Sequence, residues 1–309
     1  MDRVRLAYRD HDRAPVIFCI KEMARYYDVD VEILHIQPTA AYEAALFDDA
    51  ADVIIEHTEY LFGEPHRARG VAMFCAPSIS TESSVVVRDG FTSAEQLVGG
   101  TVALRSSGRP FANILRLRAM SLEGRLQTVI VDDAEVGRWG QWKKVVSGEC
   151  VATFMSPLYL PAALAAGLHV LPAPDAEVIG QFAQACRTSF AADHDDVMRR
   201  YLQAVIHTLA LIKLRKPEAL AIAVREPMRR MKITDPAELE RQFDGIANAL
   251  QLKPWPTPRA IMNSYEIATH EYPGSEGLNP LLLWDLHWLK QLEDTGFMDQ
   301  IIRDLTPIG

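Results

Sequence analysis

The feature that most constrains this chain is an alternation of strand and helix that starts, restarts and then stops. Residues 4–8 (VRLAY) read as a first strand. Residues 14–27 carry Val16, Ile17, Ile20, Met23 and Ala24 at helical spacing. Residues 29–36 set Val31, Ile33 and Ile36 among polar positions and read as a second strand. A short helix over 40–46 and a third strand over 52–55 follow. A β-α-β-α-β order implies a parallel sheet with helices on both faces and right-handed connections. The pattern restarts with strands over 84–88, 101–104, 128–131, 151–155 and 169–171, separated by helices over 93–97, 111–122, 136–146 and 157–166. From Asp193 onward only helices are expected: 193–213, 216–230, 235–251, 257–270 and 279–292. Pro217, Pro236, Pro258 and Pro280 sit near their starts, where proline is tolerated.

The fold class is therefore α/β, in two lobes, with a helical C-terminal tail packed on the first. A chain of 309 residues accommodates two domains. The expected division is 1–85 with 187–309 as lobe I and 86–186 as lobe II, with a ligand cleft between them. In open α/β sheets ligands lie at the carboxyl ends of the strands, and the densest polar clusters of this sequence fall there.

Charge narrows the choice of partner. Lys and Arg number 32 against 41 Asp and Glu, a net charge of −9. That argues against nucleic acid and anionic membranes as main partners, while a local Arg cluster can still hold a small anion. The opening MDRVRLAYRDHDRAP has no apolar core and no small-residue cleavage site, so it does not read as a signal peptide. No apolar run reaches about 18 residues, so no membrane span is expected. Cys19, Cys75, Cys150 and Cys186 form no CxxC pair and read as small buried hydrophobes of a reduced, cytoplasmic protein. No GxSxG, P-loop or GxGxxG motif is present, which argues against serine hydrolases, NTPases and Rossmann dehydrogenases.

Three clusters carry chemistry. Arg9, Asp10, His11, Asp12 and Arg13 follow the first strand. They suit binding and protonation of a substrate, or a solvated loop with an Asp capping the next helix. Glu56, His57, Thr58, Glu59 and Tyr60 follow the third strand. A His beside carboxylates can act as general acid or base; an ordinary capped loop reads the same way. These His and carboxylate groups could together ligate a metal, but no HExxH-type spacing supports it and none is expected. The third cluster is Arg105, Ser106, Ser107, Gly108, Arg109 and Pro110, between a strand and a helix. Its backbone N–H groups favour an anion, and Arg105 or Arg109 could fork onto a carboxylate. A capped helix start with exposed arginines is the alternative. Ser80, Thr81 and Glu82 lie at the first crossing between lobes. Phe154, Met155, Ser156 and Tyr159 form either an apolar wall or core. Trp139 and Trp142, three apart on the expected helix 136–146, either pack or stack an aromatic ligand.

Several segments resemble a known family: Ala51-Asp52-Val53-Ile54, residues 92–101 (TSAEQLVGGT), residues 148–155 (GECVATFM) and the tail GFMDQIIRDL. Together they are similar to the type 2 periplasmic-binding-protein fold, in the family of nitrate, sulfonate and taurine binding proteins and thiamine-pyrimidine synthases. Val151 stands where that family often has Asp, and Gly100 where it has Lys. The opening also resembles 4,5-dihydroxyphthalate decarboxylase-type enzymes, which place a D-Y-D-R turn after the first strand. Here the turn is Asp10-His11-Asp12-Arg13.

That likeness implies a cofactor-independent decarboxylase of a small aromatic or conjugated carboxylate. Arg13 and Arg105 would clamp the substrate, with Asp10, Glu82, Ser106, Ser107, Gly108, Arg109, Ser156 and Tyr159 lining it. His57 or His11 would deliver the proton, with Glu59 and Tyr60 as further acids. The alternative is a solute-binding protein of an ABC transporter, or a cytoplasmic sensor, for a small anionic or aromatic ligand. A homodimer is compatible with either.

Overall fold

The computed structural model describes residues 1–9, 14–37, 39–62, 70–80, 84–105, 110–137, 139–156, 159–172, 180–225 and 235–307. The chain divides into two compact units. One comprises Met1–Ile79, Gln181–Ala268 and Tyr272–Gly309, the other Ser80–Gly180 and Thr269–Glu271. Ten strands run in the order β1 Asp2–Tyr8, β2 Val29–His35, β3 Val53–His57, β4 Val71–Ser80, β5 Ser84–Val87, β6 Thr101–Arg105, β7 Gln127–Val131, β8 Ala152–Met155, β9 His169–Val170 and β10 Gly180–Arg187.

The first unit holds a five-stranded sheet in the order β2-β1-β3-β10-β4. β1 runs parallel to β2 and to β3, with Leu6 opposite Val53, and β10 returns antiparallel to β3. Successive residues of β1 and β3 point to opposite faces, and both faces are buried. Val4, Leu6, Val53 and Ile55 enter one apolar cluster, while Ala7 and Ile54 enter another. The helix Ala14–Ala24 covers the first face with Val16, Ile17 and Ile20, backed by Val205 and Leu209 of the helix Asp195–Leu214. Tyr42, Leu46, Ile261 and Ala268 cover the second. The C-terminal helices are thus part of the first unit's core.

The second unit repeats the plan. Its sheet runs β7-β6-β8-β5-β9, with β6 parallel to both β7 and β8 and β5 antiparallel to β8. Val102 and Leu104 enter one cluster and Ala103 the other. Both sheets place the first strand of a β-α-β-α-β unit between its second and third strands. The carboxyl ends of that first strand and its third-strand neighbour are the switch point where such sheets bind ligands.

Three local features matter below. Asp52, just before β3, takes Arg5 of β1 with both oxygens: Nη2 to Oδ1 at 2.6 Å and Nε to Oδ2 at 3.1 Å. It also accepts the Arg5 backbone N–H at 2.8 Å. The edge strand β4 is sealed by later chain. Ala76 donates to the Pro254 carbonyl (2.9 Å), Gln251 donates to that of Pro77 (3.0 Å) and Asp285 donates to that of Met73 (2.9 Å). His287 lies between two carboxylates, Nδ1 2.6 Å from Asp285 and Nε2 3.1 Å from Asp195, and Asp195 also accepts the indole N–H of Trp288 (2.9 Å). All four cysteines are free and buried, as small hydrophobes.

The structure corrects five readings of the sequence. The strands β4 and β10 were not expected. Both strands are buried on each face and rich in small residues, among them Ala72, Ala76, Ala183 and Ala185, so no period of two marks them. The expected helix 136–146 is broken into Asp133–Val136 and Trp142–Val146. Gly137 (φ 85°) and Trp139 (φ 58°) take left-handed backbone between them. Residues 58–62 form a short helix, Thr58–Phe62, rather than a loop. The expected helix 279–292 is a short 3-10 helix, Pro280–Leu283, and then a separate helix, His287–Asp294. A last helix, Phe297–Leu305, follows.

Candidate functional site

The switch point of the first sheet carries Arg9, directly after β1, and Glu56 and His57, which end β3. Glu56 accepts the backbone N–H of His57 at 2.8 Å and sets its other oxygen 3.5 Å from Arg9 Nη2. Both side chains are largely buried, so each charge needs the other. Arg9 also lies over two rings, its Cζ 5.4 Å from the centroid of Tyr60 and 5.8 Å from that of Tyr42. Tyr60 continues to Tyr272 at 5.8 Å.

The helix Thr58–Phe62 starts at once after β3 and turns Glu59 inward, where it is fully buried. Thr58 donates to Ser264 Oγ at 2.6 Å and ties this helix to Pro258–Glu271. His57 Nδ1 stands 3.9 Å from Glu59 Oε1. The imidazole packs on Phe182 of β10, centroids 3.7 Å apart and planes tilted by 39°. An imidazole between a carboxylate and an apolar ring can hold or deliver a proton. Of the acid–base candidates, the structure brings together His57, Glu59 and Tyr60. Asp10, His11, Asp12, Arg13, Thr81 and Glu82 lie outside the described residues.

The switch point of the second sheet carries Arg105, the last residue of β6, beside Ser156, which follows β8. The guanidinium lies over the Trp139 ring, Cζ to centroid 4.7 Å. That ring stacks on Tyr159 at 5.4 Å with planes 15° apart. Phe154 and Met155 point to opposite faces of the sheet and belong to its two cores, so they form no wall. Ser106, Ser107, Gly108 and Arg109 lie outside the described residues. The helix they precede, Pro110–Ala119, already meets an anion of the protein: Glu271 accepts the Phe111 N–H at 2.9 Å, and His270 stacks on Phe111 at 3.7 Å. Cys19 has its thiol pushed up to about 12 by burial, the reverse of a reactive helix-start cysteine.

Sequence reasoning missed Phe182, Tyr42 and Tyr272, which reach the first cluster from distant segments. It placed Trp139 on a helix, although Gly137 and Gly140 on either side of it signal a turn. Among the described residues no group of three or more His, Cys, Asp or Glu could hold a metal ion, and no helix is long and apolar enough to cross a membrane.

No family model matches the chain, and no curated protein matches it by sequence. Solved structures do. A putative sulfonate ABC transporter's periplasmic sulfonate-binding protein SsuA from Methylobacillus flagellatus shares 15% identity, with 96% of this chain and 95% of that one covered and a TM-score of 0.70. The periplasmic aliphatic sulphonate-binding protein SsuA from Escherichia coli shares 12%, with 100% and 92% covered and a TM-score of 0.65. The desulfurization enzyme DszB shares 10%, with 96% and 100% covered and a TM-score of 0.64. Two mixed five-stranded sheets of matching order and near-complete coverage by such structures give the chain the type 2 periplasmic-binding-protein fold.

Proposed function

We propose that this protein binds a small organic anion, a sulfonate or carboxylate, as the ligand-recognising component of a transport or sensing system. The observation that carries the reading is Arg105. It ends a central parallel strand at the sheet's switch point, and its guanidinium carbon lies over the Trp139 ring, 4.7 Å from the centroid. Arginine presents a planar fork of donors that matches two anionic oxygens. The likeness to sulfonate-binding proteins supports this reading above a decarboxylase. Titration calorimetry with a panel of alkyl and aryl sulfonates and carboxylates tests it. At least one should bind, and Arg105→Ala should weaken that binding by about 2–5 kcal/mol, the cost of truncating one partner of a buried charge pair. An unchanged dissociation constant overturns the reading.

The second reading keeps the same fold but adds chemistry, and the His57–Glu59 approach of 3.9 Å favours it. Loss of CO₂ from an aromatic carboxylate leaves an electron pair on carbon, and the imidazolium would supply the proton that traps it. Chromatography of each ligand after incubation decides between the two. Ligand recovered unchanged supports the binder. Released CO₂, with turnover falling about 10²–10⁴-fold in His57→Ala, supports the enzyme.

A further inference from the structure

The second unit spends unusual local structure on one side chain. Trp139 holds φ at 58°, a left-handed conformation that bulky side chains rarely adopt. The turn around it is fixed from several sides. Gly137 is also left-handed, at φ 85°. A Cβ on Gly140 would lie 2.1 Å from the Val136 carbonyl oxygen, so only glycine fits there. Lys143 donates to that same carbonyl at 2.7 Å. Gln141, buried, donates its amide to the Phe154 carbonyl of β8 at 2.8 Å. Packing of an indole needs none of this, since a helix through 136–146 would bury one at no backbone cost. What the turn achieves is placement: it lays Trp139 against Tyr159 and under the guanidinium of Arg105.

We propose that Trp139 is the positioning residue for Arg105, setting the plane of its guanidinium so that the in-plane N–H groups meet a two-oxygen anionic head. The inference rests on the anion-binding reading above and adds to it the residue that makes Arg105 selective. An arginine on a flexible stem loses rotamer freedom when it binds. One already held over an aromatic face has lost part of it beforehand, and the gain appears as affinity. Lysine cannot replace it, because a point charge has neither the fork nor the stacking plane.

The test uses the full chain with benzenesulfonate and benzoate as separate probes. Trp139→Leu should weaken both about 3–30-fold, the range of one cation–π contact. Trp139→Phe, which keeps a ring, should stay within about threefold of the parent. The ¹⁵N relaxation of the Arg105 Nε–H, assigned with Arg105→Lys, should show increased fast motion in Trp139→Leu and none in Trp139→Phe. A purely structural role would not separate the two variants this way. Probe affinity unchanged in Trp139→Leu while Arg105→Ala abolishes binding overturns the role of Trp139 and leaves the anion site standing. Probe affinity unchanged in Arg105→Ala overturns both.

Discussion

The imidazole of His57 lies 3.7 Å from the phenyl ring of Phe182, across the antiparallel register in which β3 and β10 set these two residues opposite each other. Phe182 is nearly fully buried, so it supports both the sheet and the ring that ends β3. Phe182→Ala should cost about 3–5 kcal/mol, the usual consequence of removing a packed phenyl ring. Urea unfolding should show a lower midpoint at unchanged slope. Phe182→Leu, which keeps most of the volume, should cost under about 1.5 kcal/mol if the leucine repacks.

The Arg5–Asp52 pair lies away from the candidate site and is a test of fold alone. Asp52 is almost wholly buried and accepts three hydrogen bonds from Arg5. The carboxylates of Asp52 and Asp49 raise the guanidinium's pKa further. Asp52→Ala should destabilise by about 1.5–3 kcal/mol, the range for hydrogen bonds to charged groups. Ligand affinity should be unchanged once the variant is folded, measured by calorimetry beside a denaturation curve.

Two histidines should give stability opposite pH slopes. His207 hydrogen-bonds Tyr27 at 3.0 Å, and burial holds its pKa below 6.5. Its folded state binds fewer protons than the unfolded one, so its contribution is present above pH 6.5 and is lost as pH falls toward the lowered folded value. For His287 burial opposes the charge, but Asp285 and Asp195 outweigh it and the pKa is raised above 6.5. Its contribution is complete below 6.5 and disappears as pH rises through the folded value. Thermal midpoints read across pH 5–8 should lose the acid-side slope in His207→Gln and the alkaline-side slope in His287→Gln.

The thiols should be silent until the protein unfolds. Cys19 and Cys186 are pushed up to about 12 by burial, which leaves a thiolate fraction of about 10⁻⁴ at pH 8. Ellman's reagent should find almost no reactive group in the native chain and all four after denaturation. Rapid native reaction at Cys19 would show that the helix Ala14–Ala24 opens locally.

How much could be read from the sequence follows from how each residue is buried. β1 and the helix Ala14–Ala24 showed clear periodicity, and Arg105 and His57 fell at strand ends where polar residues follow apolar runs. β10 was hidden because Gln184, a polar residue, is completely buried inside it and bonded to Tyr201 at 2.8 Å. Arg9 reads in the sequence as one member of a polar cluster that either binds a substrate or lies in a solvated loop, whereas it is mostly enclosed by Glu56 and two tyrosines. That enclosure comes from segments far apart in the chain, which no local pattern encodes. Trp139 was misplaced because three-residue spacing suggested a helix and outweighed its flanking glycines.

The sealing of β4 gives the C-terminal third a duty separate from recognition. Ten residues long, β4 would otherwise offer a free row of backbone donors and acceptors to any passing strand. Residues 250–255 and 284–285 occupy that row with their own amides and carbonyls. A chain that stopped after residue 249 would keep most of its parallel sheet and lose this cover. Its expected failure is therefore edge-to-edge polymerisation, and ribosome-bound chains would run the same risk until residue 285 has emerged.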